Sequence, residues 1–235
     1  MLTSDQLQQK YFPSSGHPYR KYESKVDSLL PCNTILDVGC GRTASVLRKY
    51  IGKATVLIGV DLEDRVEPLT RITYIKGDIS SIPVPRETAD LIISRSVLEH
   101  LPDPNPVFRE IARVLKPNGS WVFLVPNAWD YVSVISRLIP NRWHGWIVKR
   151  TEGRSEADTF PTYYRANSYF AIKKLSEHNG LEIVDFQWLG QYPSVFWFNP
   201  YLFLIATSYH KLIEKYRCLR FLRGWLLVHL IKGGE

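Results

Sequence analysis

The chain has 235 residues, 45% of them hydrophobic and 23% charged, with formal net charge +7. That length suits one domain with a real core, and the composition excludes disordered, fibrous and repeat classes. Cys32, Cys40 and Cys218 are odd in number and lack zinc-type spacing, which excludes a disulfide framework and predicts no structural metal.

The first residues, MLTSDQLQQKYF, lack the basic-then-apolar pattern of a secretory signal, so the expected location is the cytoplasm. From Asn33 to Asn127, short apolar runs bounded by Gly, Asp or Pro alternate with helical stretches, the pattern of a mostly parallel sheet. Predicted strands are Thr34–Val38, Thr55–Val60, Ile72–Lys76, Leu91–Ser94 and, after the turn at Lys116–Gly119, Trp121–Val125. Val107, Ile111, Val114 and Leu115 share one face of a helix that should pack on the sheet. A helix over Asn167–Asn179 stops at Gly180, followed by strands Leu181–Trp188 and Trp225–Ile231. The expected architecture is an α/β, Rossmann-like, seven-stranded, mostly parallel sheet flanked by helices. It forms a single domain with a cofactor-binding core near 33–127 and substrate-side insertions near 128–166 and 189–223.

The segment Ile35-Leu36-Asp37-Val38-Gly39-Cys40-Gly41-Arg42-Thr43-Ala44 reads as a strand, a glycine turn and then a helix. Such a turn lets a ligand approach bare backbone. Gly39, Gly41 and Ala44 also satisfy a dinucleotide fingerprint, with Asp61 at the ribose position, so a nicotinamide oxidoreductase is one alternative. Charge separates that alternative from a site for S-adenosylmethionine, which brings an ammonium, a sulfonium and a single carboxylate. Asp37 beside the turn would repel a pyrophosphate but attract the ammonium of S-adenosylmethionine. Asp61 can accept ribose hydroxyls, Asp78 the adenine amino group, and Leu62 or Ile79 can cover the purine. Acids also cap strands and helices in any α/β protein, but three in strand-end register point to a ligand.

The motifs ILDVGCG, GVDLE, GDIS, ADLIISRSVLEHLPDP and LKPNGSWVF make Thr34–Asn127 resemble the class I methyltransferases of the type 11 family. The resemblance implies S-adenosyl-L-methionine as cofactor. It places Asp37, Gly39, Cys40, Gly41, Asp61, Leu62, Asp78, Ile79 and Ser94 at the cofactor site, with the Ser94–Leu98 segment beside the methyl donor. Thr43 stands where the family usually has glycine. A quinone-pathway subgroup holds a metal with Glu-x-x-Glu-His, but Ser96 replaces the first carboxylate here, so no metal is predicted.

His100, after the fourth strand, is the candidate base, unless its side chain only fixes the turn Leu101–Pro104. Tyr163, Tyr164 and Arg165 offer phenol and guanidinium groups to a substrate, or form a packed connector. The expected reaction is methylation of oxygen on a glycan, a lipid-linked sugar or a secondary metabolite, with a quinone or other prenylated ring as an alternative. A non-catalytic cofactor-binding partner protein is a further alternative.

Phe186–Tyr209 is free of charge, but Pro193, Asn199 and Pro200 argue against a membrane-spanning helix. Ile205, Tyr209, Leu212, Tyr216 and Leu219 then recur at helical spacing among Lys211, Lys215, Arg217, Arg220 and Arg223. The first insertion repeats the mixture with Trp129, Tyr131, Trp143, Trp146, Arg137, Arg142, Lys149 and Arg150. Such segments fit a substrate lid, or peripheral contact with a membrane surface. No nucleic-acid-binding module is present, and oligomeric state is open.

Overall fold

A computed structural model describes residues 3–66, 70–138, 160–191 and 193–234. Among these, seven strands form one sheet: β1 Cys32–Val38, β2 Ala54–Asp61, β3 Thr73–Lys76, β4 Ala89–Arg95, β5 Leu115–Pro126, β6 Leu181–Leu189 and β7 Trp225–Lys232. Their order is β3-β2-β1-β4-β5-β7-β6. β7 alone runs antiparallel, wedged between β5 and β6. The sheet is therefore Rossmann-like and mostly parallel, and the carboxyl ends of the other six strands share one edge.

The α-helices among the described residues are α1 Ser4–Tyr11, α2 Pro18–Asp27, α3 Asn105–Val114, α4 Tyr131–Leu138, α5 Tyr169–His178 and α6 Pro200–Lys215. One face of the sheet buries Leu36, Val38, Ile92, Trp121 and Phe123 against Val107, Phe108, Ile111 and Val114 of α3 and Ile172 of α5. The other buries Ile35, Leu57, Leu91, Ile93 and Val122 against Tyr22 and Val26 of α2. Central strands are thus apolar on both faces, as parallel strands sandwiched by helices must be.

The two N-terminal helices were not foreseen from the sequence, although both carry start signals. Thr3 and Gln6 exchange reciprocal side-chain bonds in a capping box. His17 caps α2, with Pro18 at its first position.

Two expectations need correction. The glycine turn does not lead into an α-helix; only a four-residue 3-10 turn, Leu47–Tyr50, precedes β2. Ala44 sits at φ +47, a left-handed conformation that a helix cannot contain, and Gly52 then turns the chain into β2. The expected turn at Lys116–Gly119 is a bulge inside β5, where pairing with β4 jumps from Ala89–Leu115 to Leu91–Ser120. The remaining strand and helix expectations agree with the structure to within a few residues.

Asn127 ties the second insertion to the sheet: its side-chain amide donates to the carbonyls of Phe221 and Arg223, at 2.7 Å each. Trp143, Trp146, Arg142, Lys149 and Arg150 lie outside the described residues.

Candidate active site

The carboxyl edge gathers the expected acids. Gly39 at φ +75 and Gly41 at φ +69 turn the chain sharply after β1. A Cβ on Gly39 would come within 2.3 Å of Val97 Cγ2, so the loops after β1 and β4 touch through this missing side chain. The turn is also anchored to β2: Gly39 N donates to Val60 O at 2.8 Å, and Gly41 N to Asp61 Oδ2 at 2.7 Å. Asp61 Oδ1 accepts from Glu63 N at 3.0 Å. Asp61 therefore holds the glycine turn, and each of its oxygens keeps a second lone pair for a ligand hydroxyl.

Asp37, at the end of β1, is 2% exposed, and its Oδ2 has no hydrogen-bond partner. Burial pushes its carboxyl up to about 7, opposed by the positive field of Arg95. A buried, unsatisfied carboxylate oxygen is costly, and a ligand ammonium would relieve it. Arg95 ends β4, and its guanidinium stacks 4.3 Å from the Tyr19 ring centre. It also lines a cleft of about 670 Å³ with His17, Tyr19, Arg20 and Gln191. Arg95 was missed in the sequence because only folding brings it near Asp37.

The other expected cofactor residues divide. Asp78 is exposed and fixes its own turn, accepting from Ser80 N at 2.8 Å. Leu62 is exposed, whereas Ile79 and Cys40 are buried in the two core clusters. Of the two residues expected over the purine, Leu62 is the one left standing clear. Cys40 Sγ would be 2.8 Å from a Cβ on Gly59, so that glycine makes room for it. The Ser94 hydroxyl points inward and accepts from Trp121 Nε1 at 3.3 Å. Ser94 could meet a ligand only through its backbone.

His100 does not fix the turn after it. Its Nδ1 lies 2.9 Å from Pro161 O, and its ring meets Phe160 edge-on at 5.9 Å. A carbonyl can only accept, so Nδ1 carries the hydrogen and Nε2 is left as an acceptor. Beside it, Glu99 O accepts from Tyr163 N at 2.7 Å and Tyr164 N at 3.2 Å. Tyr163 and Tyr164 are thereby brought to the His100 loop, while exposed Arg165 has no such tie. The Glu99 carboxyl is buried with Oε2 unpartnered, and burial raises it to about 8. Nothing local marked Glu99 as buried, since its neighbours across the loop lie more than sixty residues away.

The donor set tests which cofactor fits. A dinucleotide pyrophosphate needs a helix N-terminus at the glycine turn, and this chain has only a short 3-10 turn there. An ammonium fits the unsatisfied oxygen of Asp37, a carboxylate fits Arg95, and ribose hydroxyls fit Asp61.

Residues 36–123 match the family model described as a methyltransferase domain. That segment carries the methyltransferase domain, of the type 11 family, on a class I fold. This methyltransferase uses S-adenosylmethionine, which sets aside the oxidoreductase and the non-catalytic partner. It is 27% identical over 177 residues to a ubiquinone biosynthesis O-methyltransferase of Bordetella avium, covering 65% of this chain and 72% of that one. To a demethylmenaquinone methyltransferase of Lysinibacillus sphaericus it is 29% identical over 186 residues, covering 72% and 78%. Among solved structures, a SAM-dependent methyltransferase from Methanosarcina mazei superposes with TM-score 0.57 at 16% identity, over 90% of this chain and 98% of that one. The cyclase SpnF superposes equally well, at 0.57 and 16%, over 99% and 97%. These likenesses show the fold, and no helix among the described residues is long and apolar enough to cross a membrane.

Proposed function

We propose that this methyltransferase methylates a ring hydroxyl of a quinone-type, prenylated aromatic acceptor, with His100 as the base. The observation that carries the reading is the Nδ1 contact of His100 with Pro161 O, which leaves Nε2 ready to take a proton. Bound S-adenosylmethionine supplies a methyl carbon made electrophilic by its sulfonium. The chain's part is to hold the acceptor in line and to remove the hydroxyl proton to Nε2.

The rim beside His100 suits an apolar ring. Phe160 and Tyr163, tied to the His100 loop, both stand exposed. Large aromatic side chains in water beside a reactive group are what an apolar substrate would cover. The printed names of the relatives, methyltransferases of ubiquinone and menaquinone biosynthesis, point the same way.

A hydroxyl of a lipid-linked sugar or other glycan is the second reading. It is favoured by the exposed phenol of Tyr163 and guanidinium of Arg165, which can bind polar hydroxyls. Purified protein given radiolabelled S-adenosylmethionine should label prenylated catechols and leave lipid-linked sugars unlabelled; the opposite pattern would install the second reading. In the same assay His100→Gln should lower kcat by about 100-fold, the lower range for a lost general base, with cofactor affinity unchanged. An unchanged kcat would reduce His100 to an anchor for Pro161.

A further inference from the structure

Helix α6 is apolar on two opposite sides. Phe203, Ala206, His210 and Ile213 face inward and are buried. On the opposite side Tyr201 is 59% exposed, Ile205 68% and Leu212 50%, and Phe198, just ahead of the helix, is 72% exposed. The expected stripe also held Tyr209, but that ring packs edge-on against Tyr131 at 5.5 Å. A surface helix normally turns charge outward, so a second apolar face marks a missing partner.

Positive charge surrounds this face. Lys211 and Lys215 lie on the helix, and Arg217 and Arg220 on the 3-10 turn after it. Between the 3-10 turn that follows α6 and β6, a cleft of about 440 Å³ is lined by Lys21, Trp188, Arg217, Arg220 and Arg223, with no acid in its lining. Arg220 stacks 4.4 Å from the centre of the Trp188 ring. Arg223 is spent on the fold, donating to Trp188 O at 3.2 Å and Glu214 O at 3.0 Å. Lys21, Arg217 and Arg220 remain for an anion. A second copy of the chain would bring more positive charge to a face already rich in it, on a molecule of net charge +7.

We propose that the outer face of α6 and the basic cleft at its end dock this methyltransferase on an anionic phospholipid surface. Tyr201, Ile205 and Leu212 enter the headgroup boundary while the helix lies in the plane, and the cations meet lipid phosphates. Each cation near such a surface multiplies partitioning by roughly fivefold, so the lysines and arginines are the larger part of the attraction. The inference holds whichever acceptor is methylated.

The test is co-sedimentation of the full chain with vesicles of phosphatidylcholine alone and of phosphatidylcholine mixed with phosphatidylglycerol. The protein should pellet with the mixed vesicles only, and added salt should release it. Ile205→Glu/Leu212→Glu and, separately, Arg217→Glu/Arg220→Glu should each cut partitioning at least about tenfold. Titration with S-adenosylmethionine checks that each variant is folded, and Ile205→Ser/Leu212→Ser replaces the first if it is not. No binding to mixed vesicles overturns the proposal, as does equal binding by the variants. So does a wild-type dimer in solution that the Ile205/Leu212 variant splits without any vesicle binding. None of these readouts depends on acceptor chemistry.

Discussion

The two halves of the sheet are built on different terms. From β3 to β4, the candidate residues lie at or just past strand ends, and the glycine turn is tied directly to its neighbours: Gly39 N donates to Val60 O, Gly41 N to Asp61, and Gly39 packs against Val97. From β5 to β6, the edge is finished by helices and insertions held at scattered points, such as Asn127 on Phe221 and Arg223, His100 on Pro161, and Tyr163 N on Glu99 O. The first half leaves little freedom because one cofactor must fit it. The second can vary with the acceptor while the sheet stays the same.

The sharpest way to break that contrast is Gly39→Ala. The new Cβ would strike Val97 at 2.3 Å, in a left-handed conformation, which together cost about 2–5 kcal/mol. Calorimetry should find S-adenosylmethionine binding abolished and thermal unfolding well below wild type; retained affinity would mean that the turn yields to a side chain at Gly39.

Glu99→Gln probes the seam between the halves through pH. Its folded value of about 8 lies above the ordinary 4.5, so the folded state holds a proton that the unfolded state releases. The associated stability is complete below about pH 4.5 and is lost as pH rises through about 8. The variant should therefore gain on wild type across that window in denaturant titrations. A constant difference from pH 5 to pH 9 would show that Glu99 is not buried as a neutral acid.

The smallest effect belongs to the acceptor half. Asn199 Oδ1 caps α6 by accepting from Tyr201 N at 2.9 Å and Leu202 N at 3.2 Å. Asn199→Ala should cost about 1 kcal/mol in chemical unfolding and leave cofactor affinity untouched. A change in that affinity would mean that the two halves are coupled more tightly than their contacts suggest.

What could be read from the sequence follows the same division. Strands β1, β2, β4 and β5 announce themselves because their apolar runs and bounding turns are local, and strand-end position alone singles out Asp37, Asp61 and Asp78 as candidates. Local pattern failed after Gly41, where Ala44 and the short return to β2 leave no room for a helix. It is silent on the inward turn of the Ser94 hydroxyl, since period-2 alternation cannot say which face of a doubly buried strand meets a ligand. Arg95, Glu99 and the approach of Tyr163 to the His100 loop depend on contacts between distant segments. The caps of α1 and α2 were legible in principle, as Thr3 with Gln6 and Pro18 at a helix start.

The antiparallel strand between β5 and β6 has a consequence for biosynthesis. β7 is the last of the seven to leave the ribosome, yet its place is between two strands made before it. Until Trp225–Lys232 emerges, β5 presents a long, apolar, unpaired edge and β6 has no neighbour. The sheet cannot be sealed before that last strand is made, and through the interval its unpaired edge is open to pairing with another chain.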